Sequence, residues 1–348
     1  SALEYALNQG VSLMTGERMG LDEKPAAEMI SFNEVKAAFY RQFDNLCRHS
    51  IILTVEAQRL HREMVPRPFL SSCIEHCLES GKDLSHGGAQ YNIGPVITGI
   101  GLAVVANSLA AVKKLVFEDK VCNMATLANA LQADWQGYEE LQKAAKAAPK
   151  YGNDDDYADD IAREIANHFY KEIHQYKDIF GSPFLTAFMG ISNYIPMGRV
   201  LGATPDGRRA GEPSSEGVSP YVGTDMSTPL AAMRSSAKLN QEIHSGGTLL
   251  NLRLGHDLIA TKRGQANLGA MIQTEKYGVY HATNEGYCSW AEFAQAIMDE
   301  AGLKCVVHPI PTSAYPTAAK RPLNSRMSKS SLDQAGFARL PAWQDALH

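Results

Sequence analysis

A run of glycines and prolines that begins at Arg199 restricts the fold of this chain more than any other feature. It reads Arg199-Val200-Leu201-Gly202-Ala203-Thr204-Pro205-Asp206-Gly207-Arg208-Arg209-Ala210-Gly211-Glu212-Pro213 and continues as Ser214-Ser215-Glu216-Gly217-Val218-Ser219-Pro220. Glycine opens backbone angles closed to other residues, while proline fixes φ and removes a donor, so the path of such a loop is closely specified. Its arginines are expected to be held against whatever the loop closes over.

Around this loop the periodicity is mostly helical. Residues 31–62 read as a long amphipathic helix, opened by Ser31 with Glu34 as a capping box and carrying Val35, Phe39, Phe43, Leu46 and Leu53 on one face. A second helix is predicted over 69–79, ending near Gly81, and would place Cys73 and Cys77 on one face. Further helices are predicted at 105–117, 124–147 and 155–174, the last capped by the run Asp154-Asp155-Asp156. The five glycines and one proline between Gly87 and Gly101 fit a close-packed structural loop better than a phosphate cradle, because the spacing matches neither a P-loop nor a dinucleotide fingerprint. The apolar, uncharged run 184–195 suits a buried strand, and 248–254 is a second candidate. Strands mixed with helices argue for an α/β architecture.

The loop from Arg199 resembles one found in the glycyl radical enzymes, the family of pyruvate formate-lyase and the radical diol dehydratases. Four more motifs are similar to that family and follow its order. They are Glu4-Tyr5-Ala6-Leu7-Asn8-Gln9-Gly10, Gly81-Lys82-Asp83-Leu84-Ser85-His86-Gly87-Gly88-Ala89-Gln90-Tyr91-Asn92, Tyr151-Gly152-Asn153-Asp154-Asp155 and Ser245-Gly246-Gly247-Thr248-Leu249-Leu250-Asn251. The resemblance implies that residues 1–274 are part of a ten-stranded α/β barrel with surrounding helices. Beyond Thr274 it stops. The tail, with Tyr280-His281-Ala282-Thr283-Asn284-Glu285-Gly286-Tyr287, Lys320-Arg321-Pro322-Leu323-Asn324-Ser325 and Leu340-Pro341-Ala342-Trp343-Gln344-Asp345, resembles the C-terminal end of dTDP-4-dehydrorhamnose reductase. Residues 275–348 are therefore read as a separate small α/β segment, with a strand at 279–283, a helix from a Ser289/Glu292 capping box to about Glu300, an extended proline-rich stretch and a short helix at 330–335.

Family members store a radical on a backbone glycine, installed by a radical-SAM activating enzyme, and pass it to a catalytic cysteine. By resemblance the cysteine loop belongs upstream of Glu4 and the glycine loop downstream of Thr274, so neither residue can be assigned here and no catalytic residue is named. Gly202, in Arg199-Val200-Leu201-Gly202, and Cys73, in Cys73-Ile74-Glu75, imitate the two motifs at the wrong places. Arg199, Arg208 and Arg209 are candidates for gripping an anionic substrate group in bidentate fashion. The competing reading, loop-closing salt bridges to Asp206 or Glu212, is preferred. Asn193 could line the barrel or satisfy a neighbouring backbone group. In the tail, Lys320 and Arg321 could by resemblance contact a sugar nucleotide, or be solvated surface charge.

A net charge of −5 gives no electrostatic reason to expect nucleic-acid binding, and no apolar run approaches a membrane span or a signal peptide, so a cytoplasmic location is the expectation. Six cysteines in 348 residues are too sparse for a disulfide framework, and no metal site or bound cofactor is expected. The leading reading is a glycyl radical lyase or dehydratase portion that is inactive alone and joined to a foreign tail, with an activating enzyme as partner and a tendency to self-associate. The alternatives are a non-catalytic binding or assembly module and a relative of the sugar-nucleotide reductase.

Overall fold

The computed structural model describes residues 1–252, 262, 287–300, 302, 304–309 and 342, and the chain divides into two compact units, 1–254 and 255–348. The first unit opens with helix α1 (Ala2–Leu7), followed by the long helix α2 (Phe32–Met64). Ser31 caps α2 by accepting the Glu34 amide at 3.3 Å, while the Glu34 carboxylate reaches one residue further back than in the usual capping box, to the Ile30 amide at 3.2 Å. Val35 and Phe39 are buried as expected, but Leu53 is 71% exposed, because the buried face of α2 ends at Ile51.

Several predicted elements are interrupted, each at an identifiable residue. The helix expected over 69–79 is two short ones, α3 (Pro68–Ser72) and α4 (Cys77–Ser80), separated where His76 takes φ 74°. Cys73 is consequently exposed and Cys77 buried, and they do not share a helical face. Helix α5 (Leu102–Val112) runs on into a wider π turn over Lys113–Glu118. The span 124–147 divides into α6 (Met124–Gln132) and α7 (Glu139–Ala147), since Asp134 and Trp135 both adopt positive φ. Helix α8 (Asp156–His174) forms as predicted, with the Asp155 carboxylate accepting the Tyr157 amide at 3.0 Å. Asp154 and Asp156 pair instead with Lys238, at 2.9 and 2.7 Å.

The expected strand over 184–195 is only three residues long. Strand β2 (Leu185–Ala187) pairs in parallel with β1 (Val96–Thr98), placing Val96, Ile97 and Thr98 opposite Leu185, Thr186 and Ala187. Past Phe188, which bridges in parallel to Thr248, Ile191 takes φ 47° and the chain enters α9 (Tyr194–Arg199). Among the described residues the sheet is these two strands plus that bridge, and the ten-stranded barrel is not seen. β1 itself lies inside the glycine-rich segment read as loop. Gly94 explains that density of small residues: a Cβ there would stand 1.8 Å from the Pro183 carbonyl oxygen, so the two chains come together only because residue 94 has no side chain.

The core lies where α5 packs on α8 and α1 on α2, with Phe169, Phe184 and Phe188 filling in beside the sheet. A further helix, α10 (Pro229–Ala237), begins with Thr228 accepting the Ala231 amide at 3.2 Å. In the second unit the described helix is α11 (Trp290–Glu300), and its predicted capping box is complete: Ser289 accepts from the Glu292 amide at 3.2 Å and donates its own amide to Glu292 at 2.6 Å. The strand predicted at 279–283 and the helix at 330–335 lie outside the described residues.

Candidate functional site

The loop from Arg199 is wired around one side chain. Arg208 is 2% exposed, and its guanidinium donates to the main-chain carbonyls of Gly202 at 2.7 Å, Gly198 at 2.8 Å, Leu201 at 3.4 Å and Pro213 at 3.2 Å, with Glu212 O met by both Nε and Nη2. Arg208 therefore closes the loop, but on carbonyl oxygens and not through the carboxylates of Asp206 or Glu212. Asp206, also buried, instead accepts from the Thr204 hydroxyl at 2.6 Å and the Arg208 amide at 3.4 Å. Burial raises the Asp206 carboxyl above its ordinary range and lowers the Arg208 guanidinium.

Neighbouring elements hold the loop from outside. The buried Trp135 indole donates to Arg208 O at 3.2 Å, Gln142 on α7 donates to Gly207 O at 2.8 Å, and the Asp134 carboxylate accepts from the Ala210 amide at 2.7 Å. Gly207, at φ 96°, brings the loop so close to α7 that a Cβ would meet Lys146 Cγ at 2.6 Å. At the other side Glu4 of α1 is buried and bridges two amides, Leu13 at 2.6 Å and Gly202 at 3.3 Å. The Tyr151–Asp155 motif serves the same region, with the Tyr151 hydroxyl donating to Val218 O at 2.8 Å and Asn153 donating to Thr224 O at 2.8 Å.

Between α7, α9 and the loop lies a cavity of about 850 Å³, whose lining includes Lys143, Lys146, Lys150, Tyr194, Arg208 and Tyr221 together with Asp206 and Glu212. Lys143 and Lys146 are exposed residues of α7. Lys150 is buried and donates to Ala145 O at 2.7 Å and Ala148 O at 2.8 Å, capping the helix's C-terminal carbonyls. Burial lowers Lys150 to about 8, against the attraction of Asp206, and raises Tyr221 to about 12. With the Arg208 fork committed to the loop, the exposed cations available to an anion in this cavity are Lys143 and Lys146.

The sequence candidates are placed as follows. Arg208 is inside the loop and lines the cavity. The Arg209 amide donates to the Glu212 carboxylate at 3.0 Å. Arg199 is exposed at the end of α9, and Asn193 is exposed at its N-terminus instead of lying on a buried strand. Lys320 and Arg321 lie outside the described residues. Gly202 serves the scaffold through both its amide and its carbonyl. The three lysines escaped sequence reading, although Pro149 was a usable signal: it ends α7 and returns Lys150 to the helix's last carbonyls.

Residues 1–198 match the family model for pyruvate formate lyase-like proteins, and residues 257–348 match a separate model, the RmlD substrate binding domain. The chain is 34% identical over 272 residues to trans-4-hydroxy-L-proline dehydratase of Clostridioides difficile, covering 78% of this chain and 34% of that protein. It is 35% identical over 280 residues to (2S)-3-sulfopropanediol dehydratase of Klebsiella oxytoca, covering 78% and 33%. The glycerol-bound B12-independent glycerol dehydratase of Clostridium butyricum superposes with a TM-score of 0.74 at 36% identity, over 78% of this chain and 34% of that one. A glycyl radical enzyme of Archaeoglobus fulgidus gives 0.73 at 31% identity, over 78% and 34%. The chain thus spans about a third of the length of the relatives it matches. Through the match over residues 1–198, the chain belongs to the pyruvate formate lyase-like family of glycyl radical enzymes, and it carries in addition a C-terminal stretch similar to the RmlD substrate binding domain.

Proposed function

We propose that residues 1–274 act as the scaffold of a glycyl radical dehydratase or lyase, part of a ten-stranded barrel, and that the 348-residue chain is catalytically silent by itself. The observation that carries this reading is the state of Arg208. Its fork is spent on the loop's own carbonyls, so this loop builds a surface and leaves no guanidinium free there to begin chemistry. Among the sequence candidates, Arg208 lines the cavity, whereas Asn193 and Arg199, exposed at either end of α9, are proposed as substrate contacts on the family resemblance alone. The radical glycine and catalytic cysteine would come from family segments that these 348 residues do not match, with a radical-SAM enzyme as activator.

Residues 275–348 form the second domain in this proposal, a segment of different ancestry. Sequencing the locus across codons 260–285 tests whether the junction is natural. The functional proposal is tested by anaerobic incubation of the purified chain with a radical-SAM activating enzyme of a related dehydratase. The expected result is no glycine-centred doublet in the electron paramagnetic resonance spectrum. A doublet at stoichiometric yield, lost in Gly202→Ala, would overturn it.

A second reading, a binding or assembly module that pairs with another chain, is favoured by one feature. Leu53, Met64, Phe69 and Leu78 are each at least 70% exposed in α2 to α4, an apolar surface a partner could cover. Copurification of a chain that carries the family's cysteine and glycine loops would support it. Sugar-nucleotide binding by Lys320 and Arg321 rests on the tail's similarity to the RmlD substrate binding domain.

A further inference from the structure

The side chain whose position is least explained by the scaffold reading is Lys150. A lysine is rarely buried, because removing an ammonium from water is costly unless it is fully paired. Lys150 is 7% exposed, yet its hydrogen-bond partners are two neutral carbonyls, Ala145 O and Ala148 O, and no carboxylate lies within salt-bridge distance of it among the described residues. Two acceptors match a neutral amine as well as an ammonium. An uncharged –NH₂ keeps both donated bonds, and its lone pair takes the third position, where an ammonium would need another acceptor. The residue also lines the 850 Å³ cavity, a space large enough for a small molecule.

The remaining wall of the cavity defines what such a molecule would carry. Lys143 and Lys146 stand on α7, three residues apart and so on neighbouring positions of one helical face, and both line the same space. They supply positive charge to an anionic group; Tyr194 and Tyr221 line the same cavity, as do Asp206 and Glu212, of which Asp206 is buried and held by the Thr204 hydroxyl.

We propose that Lys150 is an imine-forming amine for a small aldehyde bearing an anionic group, with Lys143 and Lys146 holding that group. The step balances without a further reactant. The Lys150 ammonium gives up one proton to solvent, and the amine lone pair adds to the carbonyl carbon as the C=O π electrons move to oxygen. The resulting carbinolamine then loses water to leave the C=N bond. The lowered basicity of Lys150 favours the first of these events at neutral to mildly alkaline pH. The proposal is independent of radical chemistry, because it uses neither a glycyl radical nor the family's cysteine.

The test is trapping on the whole chain with pyridoxal 5′-phosphate followed by sodium borohydride, with the modified lysines located by peptide mass spectrometry. Lys150 is expected to carry at least about ten times the adduct found on Lys143 or Lys146, since a pre-positioned amine that gives up its proton more readily outcompetes surface lysines. Pyridoxal without its phosphate should label Lys150 several-fold less, and Lys143→Ala/Lys146→Ala should bring the phosphorylated probe down to the same level. Labelling spread over the exposed lysines with Lys150 unmodified would overturn the proposal. So would equal labelling of Lys150 by both probes in the parent chain. The wild-type site map decides the question whether or not Lys150→Met folds.

Discussion

At the scale of single residues, two buried titratable side chains have measurable consequences. Arg208 satisfies five main-chain carbonyls, and a lysine at that position has one compact ammonium where the fork has three donating nitrogens. Arg208→Lys is therefore expected to lose about 2 kcal/mol or more of unfolding free energy, read by urea denaturation, as carbonyls are left buried without donors. Wild-type stability in this variant would mean that water replaces the guanidinium. His244 is 3% exposed, shares a hydrogen bond with the Thr186 hydroxyl through Nδ1 at 2.8 Å, and burial lowers it from 6.5 to about 4. Between those values the unfolded chain binds a proton that the folded chain does not. Stability should accordingly fall as pH drops from 6.5 to 4 and change no further on this account below 4, a loss of about 3 kcal/mol over the window. Comparing unfolding midpoints of the parent and His244→Asn across that range checks it: the variant's dependence on pH should be the flatter.

At the scale of elements, close approaches decide what forms. Gly94→Ala puts a methyl group at 1.8 Å from Pro183 O, so β1 and β2 must separate or slip, at about 2 kcal/mol or more, and amide exchange at Leu185–Ala187 should accelerate relative to α8. Unchanged exchange there would show that the loop yields instead. The same elements show which parts of the fold could be read from the sequence. Helix α2 was legible because its signals are local: a serine cap, a glutamate three residues on, and apolar residues at helical spacing. The division between α6 and α7 was not, because Asp134 and Trp135 enter the left-handed region under the pull of a loop far along the chain, where Asp134 meets Ala210 and Trp135 meets Arg208. The strand run 184–195 failed for a related reason. Its apolar composition reports burial, which Phe184 and Ala187 do have, and says nothing of the turn at Ile191. At the site the arginine-rich loop was legible as a specified path, while its carbonyl partners and the facing lysines were invisible to patterning, since they depend on how α7 is brought against it.

At the scale of the whole molecule, the exposed apolar side chains of α2 to α4 set the expected solution behaviour. Leu53, Met64, Phe69 and Leu78 present a surface that water disfavours, and a net charge of −5 over 348 residues gives modest repulsion between copies. Size-exclusion chromatography with light scattering should show concentration-dependent association, and Leu53→Glu/Phe69→Glu should shift the chain toward monomer. A sharp monomer peak for the parent at high concentration would refute this. The wiring of Arg208 has a kinetic consequence as well. Every carbonyl it holds lies at most ten residues away along the chain, whereas the Glu4 clamp on Gly202 closes a span of 198 residues. Loop-closure entropy grows with span, so the arginine knot can assemble while the chain is still largely open, and the clamp must wait for the ends to meet. Arg208→Lys should then slow refolding, and Glu4→Gln should leave the refolding rate unchanged while hastening unfolding. On that account the loop around Arg208 acquires its shape before the two ends of residues 4–202 are brought together.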